Sequence, residues 1–288
     1  MQRQISSDVV HDLLKSMVIP PRPAILVALE EARRQDAPDL QAIGQLIAED
    51  VSLSASVLKT VNSPLMRRPK RISSVPKAVQ LLGLDNLLNL VRGLVLRSAL
   101  EESAVPSAYL DGFWSESHHV AMVAAYLASH IKGISADDAY TFGLFHGCGT
   151  VLMMMRYPDY LQTLHEGERM SRAAYLAMED SRYQTSFNVV GYLLCRTWFL
   201  PEDVCLAVLN QHDYSLFEDE ALDQANHRVL SLISLGSLAE HIVKMTTKQF
   251  EHVEWRQIEP LLLGFLGLER EEFEDLYDAV QLMLNDAA

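Results

Sequence analysis

The stretch "IAEDVSLSASVLKTVNSPLMRRPKRISSVPKAVQLLGLDNLLNLVRGLVLRSAL", residues 47–100, decides the fold. Within it, "SLSASVLKTVNSP" is a helical segment that stops at the Asn62-Ser63-Pro64 breaker, since proline disfavours helix in the residue before it. "SSVPKAVQLLG" places Ser74 at the cap, Pro76 in the first turn and Gly83 just past the last residue, the usual order of helix start and stop signals. "DNLLNLVRGLVLRSALEE" is long and apolar on more than one side, as a central helix must be. Upstream, "DLQAIGQLIAED" opens with Asp39 as N-cap and sets Leu40, Ile43, Leu46 and Ile47 on one face. These segments predict a compact bundle of short helices in the first hundred residues.

The helical pattern continues beyond a boundary at "SAVPSAYLDG", residues 103–112. "FWSESHHVAMVAAYLASHI" predicts a long helix ending before Gly133. "SADDAYTFGLFHGCGTVLMMMRY" begins with a capping-box-like Ser135 and Asp138. "SFNVVGYLLCRTW", "PEDVCLAVLNQH" with Pro201 at its start, and "NHRVLSLISLGSLAEHIVK" follow. "EEFEDLYDAVQLMLND" carries Phe273, Leu276, Tyr277, Val280 and Leu284 on one face and an acidic outer face. No run of alternating strands and no internal repeat is found, so the fold class is all-α.

Composition narrows the function. The chain has 288 residues, 49% hydrophobic and 22% charged, with a formal net charge of −14. That balance suits a core-forming globular protein and argues against nucleic acid as a partner, because an acidic surface repels phosphate backbones. The basic run "MRRPKR", residues 66–71, is read as a solvated loop. Cys148, Cys195 and Cys205 lie far apart with no C-x-x-C pair, so reduced thiols are expected. No signal-peptide pattern and no apolar run of membrane length is seen. A cytoplasmic protein with no membrane partner is expected.

Residues 47–100 closely resemble the HDOD family, HD-related output domains of bacterial signalling proteins. Asp50, Leu58, Asn62, Ser63, Ile72, Ser74, Ala78, Leu82 and Gly83 fall where the family pattern expects them. "GLFHGCG", residues 143–149, is similar to the family's Gly-Leu-Leu-His-Asp-Ile-Gly, and Gly191, Leu194, Trp198, Leu200 and Pro201 match its Gly-x-x-Leu-x-x-x-Trp-x-Leu-Pro. The resemblance runs over roughly residues 19–215. It implies an N-terminal helical subdomain, 1–106, packed on an HD-like helical half, 107–215, with 216–288 a helical extension packed on that half. It also implies a signalling module acting by protein contacts. A receiver domain would need an alternating strand–helix pattern, and none is present.

HD phosphohydrolases use histidines and carboxylates converging on divalent metal, which lowers the pKa of bound water and clamps a phosphate. The resemblance allows each position to be tested. Trp114 and Ser117 align with a Trp-x-His-Ser pattern, but Glu116 stands where the histidine belongs. His118 and His119 follow, turned about 200° and 300° around a helix from Glu116. His146 is kept, but Gly147 replaces the aspartate of the His-Asp doublet, Asn188 replaces a histidine, and the later His-His pair reads Gln211-His212 or His212-Asp213. The expected remnant is a pocket of Glu116, His119, His146, Asn188 and His212 that binds no cofactor. A single divalent metal on His146, His212 and Glu116 or His119 is the lesser alternative.

Other chemistries lack their motifs. No phosphate-binding or dinucleotide glycine loop and no G-x-S-x-G elbow occurs. Ser117 and His118, adjacent on a helix, point apart. Met153, Met154 and Met155 are read as core. The expected function is a non-catalytic regulatory module working through a signalling protein partner. The alternatives are a weak metal-dependent phosphohydrolase acting on a nucleotide or cyclic dinucleotide, and a sensor that binds a small ligand in the old pocket.

Overall fold

A computed structural model describes residues 19–35, 37–62, 72–101, 105–131, 133–218, 224–248 and 251–285. The basic run 66–71, Ser63, Pro64 and the N-terminal stretch to residue 18 lie outside them. Among the described residues there are helices and turns but no strand, so the all-α reading holds. The chain divides into two compact units, one centred on Pro21–Glu102 and the other on Ser103–Gln281.

The first unit contains α1 (Ala24–Arg33), α2 (Leu40–Ala48), α3 (Val51–Val61), α4 (Val75–Leu82) and α5 (Leu84–Glu101). Asp39 caps α2, its side chain accepting from the N–H groups of Gln41 and Ala42. Asp50 does the same for α3 through Leu53 N–H. Ser74 stands at the start of α4 as expected, but its hydroxyl makes no capping bond, and Pro76 occupies the first turn. Ile43 and Ile47 of α2, Val57 and Val61 of α3, Val79 of α4 and Leu87 and Val91 of α5 are buried. A Cβ at Gly44 would lie 2.8 Å from Pro76 Cα, so glycine sets the spacing of α2 and α4. Asn62 ends α3. Its Nδ2 donates to Leu58 O (2.7 Å) and Ile72 O (2.9 Å), and its Oδ1 accepts from Ile72 N–H (2.7 Å). The side chain therefore ties the end of α3 to a backbone segment ten residues on.

The second unit contains α6 (Ser107–His130), α7 (Ala136–Phe145), α8 (Cys148–Arg156), α9 (Tyr160–Gly167), α10 (Arg172–Tyr183), α11 (Phe187–Thr197), α12 (Glu202–Asn210), a 3-10 turn (Tyr214–Glu218), α13 (Gln224–Lys248), α14 (Trp255–Leu266) and, as far as Gln281, α15 (Arg270–Asn285). α6 begins at Ser107, directly after Pro106, so half of the expected boundary 103–112 is helix. Ser135 caps α7 by accepting from Asp138 N–H (3.2 Å). The helical stretch 135–157 forms two helices: the chain turns at His146 and Gly147.

Helix packing here is close. A Cβ at Gly143 would lie 2.7 Å from Ala121 Cα of α6, and one at Gly149 would lie 1.9 Å from Phe187 O of α11. Two glycines of "GLFHGCG" therefore let backbones touch. α13 is long and apolar enough by composition to cross a membrane, a length the sequence reading did not find, but 67% of its most apolar window is buried inside the protein. It is a core helix. Phe273, Val280 and Leu284 of α15 are buried and its acidic residues are exposed, as the amphipathic pattern predicts.

Candidate functional site

A cavity of about 520 Å³ opens in the second unit. α6 contributes Tyr109, Phe113 and Glu116, spaced four and three residues apart and hence on one face. His146 and Gly147 enter from the turn between α7 and α8, Arg172 and Tyr175 from α10, Phe187 from α11, His212 from the end of α12, and Glu240, Lys244 and Lys248 from α13.

Of the five residues expected in the pocket, Glu116, His146 and His212 line it. His146 Nδ1 lies 2.7 Å from Gly143 O. A carbonyl can only accept, so Nδ1 carries the hydrogen. Asn188 is buried behind the wall, where its Oδ1 accepts from Gln211 Nε2 (2.9 Å), which also donates to His146 O (2.8 Å). Gln211 thus fastens the His146 turn to α11. His119 is half-buried on α6 and is not among the lining residues. Burial lowers its pKa and outweighs Glu116. At His212, burial first and then Arg172 hold the imidazole well below its ordinary value, and its buried Nδ1 has no hydrogen-bond partner among the described residues.

The position of the missing aspartate is closed by an aromatic ring. A Cβ on Gly147 would lie 3.0 Å from Phe113 Cε2. Three carboxylates line the cavity; Glu168 is exposed, and the other two, Glu116 and Glu240, are held by cations. Glu116 pairs with Lys248 (2.5 Å) and Lys244 (3.8 Å). Glu240 pairs with Arg172 (3.2 Å) and with Lys244. Burial alone would raise the Glu240 carboxyl, but Lys244 and Arg172 hold it well below the usual range. Arg172 N–H also donates to Glu254 Oε2 (2.7 Å). His252 lines the cavity with its pKa lowered to about 4, by burial first and then by Arg172.

These residues do not fit a metal centre. Among the described residues no three His, Cys, Asp or Glu side chains are grouped to hold an ion. Three cations, Arg172, Lys244 and Lys248, line the same cavity.

Behind Tyr175 and Phe187 sits a buried polar network. Glu179 accepts from Phe187 N–H (3.2 Å) and from the Tyr160 hydroxyl, which lies 3.0 Å from that of Tyr175. Burial raises the Glu179 pKa to about 7, against the hydrogen bonds from Tyr160 and Phe187.

Fold and site together define an all-helical domain with a cavity lined by a mixed cluster of lysine, arginine, glutamate and histidine. The chain belongs to the HDOD domain family: the family model matches residues 19–214. It is 26% identical over 260 residues to an uncharacterized protein of Treponema pallidum (strain Nichols), covering 88% of this chain and 47% of that protein. The chain thus spans about half the length of the curated relative it matches. Among solved structures it superposes with a TM-score of 0.70 on a Shewanella amazonensis SB2B protein that carries the name phosphohydrolase, at 18% identity over 97% of this chain and 98% of that one. A Marinobacter aquaeolei VT8 protein named for signal transduction gives 0.69 at 20% identity, over 99% of this chain and 60% of that one. Both likenesses concern the fold.

Proposed function

We propose that this protein is a non-catalytic regulatory module of bacterial signal transduction that acts through contacts with a partner protein. One observation carries the reading: the aspartate position is glycine under the Phe113 ring, and of the three carboxylates lining the cavity the two that are not exposed, Glu116 and Glu240, are committed to Lys248, Lys244 and Arg172. A divalent ion entering this cavity would have to displace ammonium and guanidinium groups from mostly buried carboxylates, against strong local repulsion. The name of the Marinobacter relative agrees with this reading, and that of the Shewanella relative with the rival one. The open cavity favours one addition, that the module responds to a small ligand held there.

The test is to express the chain in medium supplemented with manganese and iron, measure bound metal by plasma mass spectrometry, and assay phosphodiesters and cyclic dinucleotides. The expected result is no stoichiometric metal and no turnover above that of a His146→Ala control. Turnover that disappears in that control would make the protein a phosphohydrolase.

A further inference from the structure

The cavity has two chemically distinct kinds of lining. One is cationic, Arg172, Lys244 and Lys248 set among Glu116, Glu168 and Glu240, and the other is aromatic, the rings of Tyr109, Phe113, Tyr175 and Phe187. Arg172 and Lys244 are largely enclosed, with 22% and 20% of their side chains exposed, while Lys248 is 58% exposed. The cations carry more N–H groups than their partners can absorb. An ammonium has three and a guanidinium five, and here three such groups share Glu116 and Glu240. His212 adds a buried Nδ1 with no hydrogen-bond partner among the described residues. An apolar aromatic wall facing a few placed polar groups is how small-molecule sites are built.

Resting on the non-catalytic reading, we propose that this cavity binds a small organic phosphate without metal. Arg172, Lys244 and Lys248 receive the oxyanion, and the aromatic wall receives its apolar body. In the empty cavity the lysines neutralise Glu116 and Glu240, which keeps both signs of charge tolerable in a partly buried site. The ligand's oxyanion competes with Glu116 for Lys248, the cation nearest solvent. Binding is an exchange of partners and no covalent bond is made. A carboxylate ligand meets the same cations with less charge and fewer oxygens, so phosphate is the better fit.

The test is titration calorimetry on the full chain in EDTA, with phenyl phosphate, inorganic phosphate and benzoate as probes. Phenyl phosphate is expected to bind at one saturable site, with inorganic phosphate and benzoate each about tenfold weaker, through loss of the ring's burial or of the dianion. Lys248→Gln is expected to weaken phenyl phosphate about fivefold, and Glu116→Gln, which frees the lysines, to tighten it about threefold. The opposite signs separate a ligand site from a merely structural ion pair. No saturation by about 10 mM phenyl phosphate overturns the inference, as does a Glu116→Gln variant that binds no tighter. A parallel incubation of the chain with phenyl phosphate and manganese, without EDTA, is checked for phenol. Phenol release would overturn the non-catalytic reading while binding stood, and absent binding without phenol would overturn the ligand site alone.

Discussion

Restoring the missing carboxylate tests whether the pocket's change is one residue deep. Gly147 has φ −97° and ψ −1°, a conformation open to an L-residue. Gly147→Asp therefore meets no backbone strain, and the reduced freedom of its unfolded chain favours the variant by up to about 1 kcal/mol. Against this, the new Cβ would stand 3.0 Å from Phe113 Cε2, 3.7 Å from Cζ and 4.0 Å from Cδ2. Carbon atoms prefer about 3.5–4 Å, so the ring edge must retreat by about 0.5 Å. Phe113 is half-buried and borders open cavity, so the adjustment costs about 1 kcal/mol. The two effects nearly cancel, and the melting temperature should move by no more than about 4 °C. Calorimetry, metal analysis and a phosphodiester assay on the one variant should then return a stable, metal-free, inactive protein, because Glu116 keeps its lysines. One equivalent of manganese or iron held by this single variant would refute the reasoning, since it would show that the ion pairs are no barrier.

Gly149→Ala places its methyl 1.9 Å from Phe187 O, so α8 and α11 must part, and a loss above about 3 kcal/mol in urea unfolding is expected. Gly264→Ala, with nothing within 4 Å of its Cβ, is the control and should gain about 0.5 kcal/mol; similar effects at the two sites would contradict the packing described. Asn62→Leu removes three hydrogen bonds and strands the Ile72 N–H, for an expected loss of about 2–3 kcal/mol; a loss under about 0.5 kcal/mol would show that the turn is held otherwise. Glu179, raised from 4.5 to about 7 by burial, binds its proton more tightly when folded. Its contribution is full below the unfolded value and fades as pH rises through about 7, by about 3 kcal/mol in all. Relative to wild type, Glu179→Gln should thus gain stability between about pH 5 and pH 8, and parallel pH profiles for the two proteins would count against it.

Much of this fold was legible because it rests on local chemistry. Asp39, Asp50 and Ser135 cap the helices whose starts they mark. Helices whose apolar face is short or interrupted were missed, α10 among them although Ser171 caps it. α9 spans eight residues, α10 has its amphipathic face interrupted by charge, and α14 carries Pro260 in its interior. The break at His146 was hidden because both flanking segments are helical and Gly147 adopts an ordinary negative φ. In the site, resemblance located Glu116, His146 and His212, but the cations were out of reach. Arg172 is a first-turn arginine that reads as surface, and α13 was taken to end at Lys244, which left Lys248 outside it. One signal was present: Glu240, Lys244 and Lys248 recur every fourth residue in an otherwise apolar helix, where charges pointing inward call for a reason.

That spacing has a mechanical consequence. Residues four apart stand in a row along a helix, so Glu240, Lys244 and Lys248 move together, as teeth on one comb. A slide of α13 by one residue, about 1.5 Å of rise with about 100° of turn, would swing the whole row off the cavity at once. No small displacement of this helix can alter one of the three charges alone. The part of the polar lining that α13 supplies therefore has a single mechanical coordinate, and an oxyanion held by Lys244 and Lys248 is tied to the position of an entire 25-residue helix.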